Sequence, residues 1–256
     1  MPTDIIDTII GWYQEPLFIQ FPVITFAIGI GVFVLLAAPW TVLAWLDPEW
    51  AKPYRVQNKD FEVSTFLGKN ITLIVFNSLL VFTLLVLAWP LARLTGIHAG
   101  EVPHWTTFVW QIAFFIVLDD FLYYWMHRTM HENKWLLKNV HSVHHQVRTP
   151  YALAGNYFHW VELALTAGIA LIGPILLSSH IYVVYAWFIW RQMEAVDGHL
   201  GYSFKWNPMR LVPFYHGPEF HDRHHETYKG NYAGFLPIID RWLKTQSPAT
   251  AKRSAH

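Results

Sequence analysis

The chain has 256 residues, 18 basic and 18 acidic side chains, and no cysteine. A net charge of zero offers nothing to hold a nucleic acid, and the missing thiols exclude disulfides, thiolate nucleophiles, zinc–thiolate sites and cysteine-held iron–sulfur clusters. With 54% hydrophobic and only 14% charged residues, the composition is too apolar for an ordinary water-soluble domain.

The first 16 residues carry Asp4, Asp7 and Glu15 but no Lys or Arg, and show none of the basic, apolar and small-residue zones of a signal peptide. An apolar stretch then runs over 17–46, broken by Pro22 and Pro39, and a second over 71–91 without a charge. A third covers 105–126. About 20 apolar residues in a helix cross ~30 Å of hydrocarbon, so all three predict membrane spans. A fourth stretch, 161–193, is interrupted at Gly173-Pro174 and Ser178-Ser179 and predicts a helical hairpin with short, re-entrant arms. The expected fold is all-α: an integral, multi-pass membrane protein with a polar, histidine-rich cap. Residues 1–104 are expected to form the N-terminal membrane region and 105–256 the region that carries the histidine clusters.

Positive charge orients such a chain. Segment 47–69 holds Lys52, Arg55, Lys59 and Lys69; segment 127–159 holds Arg128, Lys134, Lys138 and Arg148; eight more Lys or Arg follow residue 197. Segment 92–104 holds only Arg93. Three crossings, and a hairpin returning to its own side, put every strongly basic segment on the cytoplasmic face. Every histidine cluster shares that face, while His98 and His104 fall on the other.

The clusters are His127 and His131 (H-x-x-x-H), His141, His144 and His145 (H-x-x-H-H), and His221, His224 and His225 (H-x-x-H-H again). Two copies of a three-histidine motif far exceed what 15 histidines in 256 residues would produce by chance. Neutral imidazole is the commonest protein ligand for transition metals, and eight rings are more than one ion accepts, so two ions are expected. On a helix, spacings of three and four bring the rings of one cluster to one side. His159, before the hairpin, and His199, after it, fit by position alone. Asp120, two turns before His127, is either a carboxylate bracing a ligand ring from behind or a helix-end group in water. Asp197, two residues before His199, and Asn231 are further candidates to brace the rings. His180, His216 and His256 lie outside any spacing pattern. Spacing does not separate iron from zinc or manganese.

The three clusters, following a membrane span, resemble the fatty acid hydroxylase superfamily of membrane di-iron oxygenases, and most nearly its C-4 methylsterol oxidases. The resemblance covers about 115–245. It rests on DDFLYYWMHRTMH at 119–131, VHSVHHQVRTPY at 140–151, EAVDGHLGYSFKWNPMRLVPFY at 194–215, HDRHHETYKGNYA at 221–233, and Asp240-Arg241-Trp242. It implies a sterol C4-methyl monooxygenase with two non-haem irons and O2 as co-substrate. Under it His159 and His199 join His127, His131, His141, His144, His145, His221, His224 and His225 around the metals. Asn156, Phe220 and His216 depart from the pattern, which bears on the substrate more than on the chemistry. A related lipid hydroxylase or a sterol C5 desaturase of the same superfamily is the alternative; a metal transporter would want ionisable groups deep within several spans.

The resemblance further implies a sterol or other lipid substrate and a separate electron donor, cytochrome b5 or a ferredoxin with its reductase, because no flavin or nicotinamide motif is present. Trp187, Phe188, Trp190, Tyr157 and Phe158 are candidate substrate contacts, and Arg191 reads as an interfacial anchor. The C-terminal 251–256 lacks a dilysine retrieval signal, which leans toward a bacterial inner membrane over the endoplasmic reticulum.

Overall fold

The computed structural model describes residues 2–247; the 251–256 segment, with His256, lies outside them. Three helices are long and apolar enough to cross a membrane. A first helix, α1 (Pro2–Gln14), precedes them. The first candidate span, α2 (Pro16–Leu46), is continuous where two prolines predicted breaks. Pro22 sits in a wide turn of π-helix, Ile19–Ile24, which accommodates its missing N–H and the ring's clash with the preceding turn. The second span, α3 (Val63–Leu87), begins well before its uncharged stretch and so includes Lys69 and Asn70. The third, α4 (Trp105–Glu132), starts at His104, whose ring caps it by accepting from the Thr106 N–H.

The hairpin comprises α5 (Trp160–Leu176) and α6 (Ile181–Gly198). Its arms were expected to be short and re-entrant. At 17 and 18 residues they are short of the ~20 that cross the hydrocarbon, and neither is among the candidate spans. Its tip reaches the loop before α4: His98 donates to the Ser179 carbonyl at 3.3 Å, and Ile181 donates to the His98 carbonyl at 2.8 Å. Gly173 lets α5 lie directly on α4, since a Cβ there would stand 2.5 Å from the Phe115 ring. Beyond the hairpin come α7 (Pro218–Thr227) and the short α8 (Ile238–Trp242). Among the described residues no strand forms.

The helices sort the connecting segments onto two ends. At one end the Trp89 indole donates to the Trp12 carbonyl and Arg93 pairs with Glu15, so the N-terminus, the 88–104 segment and the hairpin tip lie together. At the other, Arg55 pairs with Asp47, Tyr202 donates to Asp47 at 3.0 Å, and Gln57 bridges the Arg148 carbonyl and Asp222. This second end gathers the 47–62, 133–159 and 199–247 segments, and all three histidine clusters with them. The core joins both halves of the chain: Phe33, Ala37 and Ala44 of α2 pack with Tyr151, Leu153, Val196 and Tyr202. Leu35, Leu79 and Val117 stay exposed on the spans, as a hydrocarbon-facing surface requires.

Candidate metal centre

Because α4 continues through its last turn, His127 and His131 share one face. After Glu132 the chain turns: the Asn133 side chain accepts from the Trp135 and Leu136 N–H groups at 2.9 and 3.1 Å. A π-helical turn, Leu137–His141, and a 3-10 turn, His144–Gln146, follow. The 141–145 motif therefore does not lie on one α-helix, contrary to expectation, whereas the 221–225 motif does, on α7.

The rings fall into two groups. His127, His131, His141, His145 and His224 form one; His144, His199, His221 and His225 form the other. Each H-x-x-H-H motif feeds both groups, with opposite assignment. In the first motif the i, i+4 pair His141/His145 goes to the five-ring group and His144 to the four-ring group. In the second the pair His221/His225 goes to the four-ring group and His224 to the five-ring group. The groups adjoin, with the His145 and His225 ring centroids 4.9 Å apart.

Hydrogen bonds on the outer side set the tautomers. The Nδ1–H groups of His127, His224, His225, His199 and His144 donate to the carbonyls of Tyr232, Gly230, Val147, Ala195 and Tyr157 at 2.8, 2.8, 3.0, 2.9 and 3.3 Å. His141 Nδ1–H donates to Glu162 Oε1 at 2.8 Å, both side chains fully buried. Burial pushes His141, His144, His145, His221, His224 and His225 well below the usual imidazole range, and His199 down to about 4. A neutral ring whose Nδ1 carries the proton has a bare lone pair on Nε2.

The Nε2 atoms of the rings face one another. His127 and His141 Nε2 are 3.0 Å apart, and His131 and His141 2.8 Å. His199 Nε2 stands 3.3, 3.1 and 3.3 Å from the Nε2 atoms of His144, His221 and His225. Two bare acceptors that close repel, so the arrangement suits a Lewis acid between them. Nitrogen ligands at bond lengths of ~2.1 Å are about 3.0 Å apart at right angles and about 3.4 Å apart in a tetrahedron. The donor set therefore fits two first-row transition metals, five imidazoles around one and four around the other.

The remaining candidates stand elsewhere. His159 belongs to neither group; its Nδ1 caps α5 by accepting from the Val161 N–H at 3.2 Å. Asp120 touches no imidazole and accepts from the Phe235 N–H at 2.8 Å, pinning that loop to α4. Asp197 is held by Asn207 and Tyr215. Asn231, in the left-handed region, joins the Phe220 carbonyl to the Ser247 N–H. Asp120 and Asn231 thus bond backbone groups of the cap and Asp197 two of its side chains; none of the three hydrogen-bonds a ring. The bracing carboxylate is Glu162, for which spacing gave no signal, because its partner lies across a tertiary contact. His98, His104, His180 and His216 lie away from both groups, as expected.

A cavity of about 200 Å³ descends between α2, α3 and the hairpin, from Phe21, Phe26 and Leu85 to the rings of His199 and His221. Phe158 and Phe188 line it as anticipated; Trp187 instead packs on Phe115 in the core, and neither Trp190 nor Tyr157 reaches the cavity wall. Arg191 is no interfacial anchor: beside the cavity it is 2.8 Å from the buried Asp119 and close to Glu194.

Residues 112–245 match the fatty acid hydroxylase family. Among curated proteins, a very-long-chain aldehyde decarbonylase of Oryza sativa subsp. indica is 36% identical over 86% of this chain and 83% of its own length. A methylsterol monooxygenase of Arabidopsis thaliana is 33% identical over 86% of this chain and 82% of its own, and a second from the same plant is 31% identical. No solved structure matches. The chain belongs to the fatty acid hydroxylase family, as an integral membrane oxidoreductase with histidine clusters able to hold metal.

Proposed function

We propose that this member of the fatty acid hydroxylase family is a sterol C-4 methyl monooxygenase. In this reading two irons sit among the nine converging rings, and O2 oxidises a 4-methyl group while electrons from a separate donor reduce the second oxygen atom of O2 to water. The cavity carries the reading. It begins among apolar side chains at the depth of the spans and ends on His199 and His221, so a lipid lying in it presents one end to the four-ring group. Methylsterol monooxygenases among the relatives support the same substrate class.

Bound there, the metals would supply O2 activation and attack on an unactivated C–H bond. The chain's own residues supply the rest. The five carbonyls and Glu162 orient the rings and keep Nε2 free to ligate. Phe158 stacks on His144, 4.6 Å between centroids, and shields the four-ring group on the cavity side. The buried Asp119–Arg191 pair holds α6 against α4, and so sets where His199 enters.

The concentration of Lys and Arg around the rings supports a cytoplasmic histidine face, at a bacterial inner membrane or the endoplasmic reticulum, with cytochrome b5 or a ferredoxin and its reductase as the electron donor. A second reading is favoured by the rice relatives' name: a long-chain lipid aldehyde occupying the same cavity. Lipid profiling of a host that makes the chain, against His144→Ala, separates the two. Oxidation of 4-methylsterols only with the intact chain supports the first. Consumption of long-chain aldehydes with sterols unchanged supports the second.

A further inference from the structure

The histidine end has a second opening, on the side away from the lipid cavity. It is a surface depression of about 750 Å³ between the turn after α4 and the end of α7, lined by Lys134, Lys138, Arg148, Phe66, His145 and Tyr228. Its three cations are exposed. Elsewhere on this end Arg55, Lys59, Arg128, Arg210 and Arg223 each pair with a carboxylate, whereas Lys205, Lys229, Arg241 and Lys244 stand apart from the depression. Among the described residues Lys134, Lys138 and Arg148 have no such partner, so their positive potential is uncompensated.

The floor of the depression is a wall of the metal centre. The Tyr228 ring lies on His145 of the five-ring group, 4.5 Å between centroids and 34° between planes, and its hydroxyl donates to the His145 carbonyl at 2.8 Å. The Arg148 guanidinium lies over the Tyr228 ring, 5.6 Å from its centroid. Tyr228 has φ of 60°, a left-handed conformation that a bulky residue adopts only under constraint. Arg148 and Tyr228 thus lie between solvent and His145 of the five-ring group.

We propose that this depression is the landing site of an acidic one-electron carrier protein, and that the Tyr228–His145 contact is where the electron enters the five-ring group. This rests on the oxygenase reading above. Each docking event oxidises the carrier's iron–sulfur or haem centre by one electron and reduces the metal centre by one; no bond is made or broken, and two events supply one oxidation. A phosphate headgroup would be satisfied by the three cations alone. A redox protein needs both a charged rim and a short way inward, and the depression offers both.

The test uses the purified full chain. Binding of an acidic [2Fe–2S] ferredoxin, and of the soluble domain of a b5-type cytochrome, is measured for wild type and for K134E/K138E/R148E over a range of salt. Binding is read on metal-free protein, so it does not depend on which lipid is oxidised. On metal-loaded protein, reduction by carrier is compared with reduction by dithionite. At least one carrier should bind the wild type with an affinity that falls with salt. The triple variant should bind it roughly tenfold or more weakly and lose most of the salt dependence. Reduction by carrier should slow in parallel, with dithionite reduction and metal content unchanged; K134Q/K138Q should show an intermediate loss. Failure of both carriers to bind, or equal binding by the triple variant, overturns the proposal. So does loss of binding to phosphatidylserine vesicles with carrier binding intact, which would make the depression a headgroup site. A chain that binds carrier but oxidises no sterol refutes the substrate reading alone.

Discussion

At the scale of single residues, the centre depends on which nitrogen of each ring is bare. Glu162 is the clearest case, a fully buried carboxylate whose contact with His141 holds that ring's proton on the outer nitrogen. Replacing it with Gln should weaken metal binding by about 10–100-fold while the chain still inserts and folds, as measured by competition with a chelator. His224→Ala should strip metal from the five-ring group and His144→Ala from the four-ring group, each lowering metal content and abolishing oxidation. His98→Ala and His104→Ala, at the far end, should keep both. The ring spacings were legible because i, i+3 and i+4 are properties of the chain itself. Glu162 was not legible, nor were the carbonyls of Tyr232, Gly230 and Val147, because folding alone brings them to the rings. His159 shows the converse: its place in the sequence suited a ligand, yet a histidine just before a helix equally suits a cap.

At the scale of helices, the spans were readable from hydropathy and the hairpin from its interruptions. Two features were not. Pro22 predicts a break only if the helix stays α, and a π turn removes that need. The 141–145 motif predicts one helical face only if it is helical, and the chain there changes from π to 3-10 geometry, which sends His144 to a different group from its neighbours. Helix contacts give their own test. Gly155 meets the end of α6 so closely that a Cβ would stand 2.6 Å from the Ala195 carbonyl, the same carbonyl that orients His199. Gly155→Ala should therefore loosen metal in the four-ring group more than in the five-ring group. Gly173→Leu, which forces the hairpin off Phe115, should lower thermal stability by about 1–3 kcal/mol, read from the unfolding midpoint in detergent.

At the scale of the whole molecule, the spans and hairpin put the basic segments and the histidines on one end and the N-terminus and hairpin tip on the other. The charge pattern anticipated this division, since Lys and Arg are concentrated in the very segments that the folded chain gathers around the rings. The absence of cysteine makes the arrangement simple to probe, because any introduced thiol is the only one present. Asn139→Cys, in the turn after α4, should react with a membrane-impermeant reagent from the cytoplasmic side alone, and Glu101→Cys from the opposite side alone. Equal labelling from one side would contradict the topology.

The central claim is that nine imidazoles drawn from four separate stretches of chain enclose two iron ions. Iron analysis of the purified full chain tests it most directly, with X-ray absorption to identify the ligands. The account predicts two irons per chain in an all-nitrogen, histidine-rich environment, falling toward one or none when His144 or His224 is removed. A fully folded, active chain that carries no transition metal, or retains both irons after those substitutions, would contradict it.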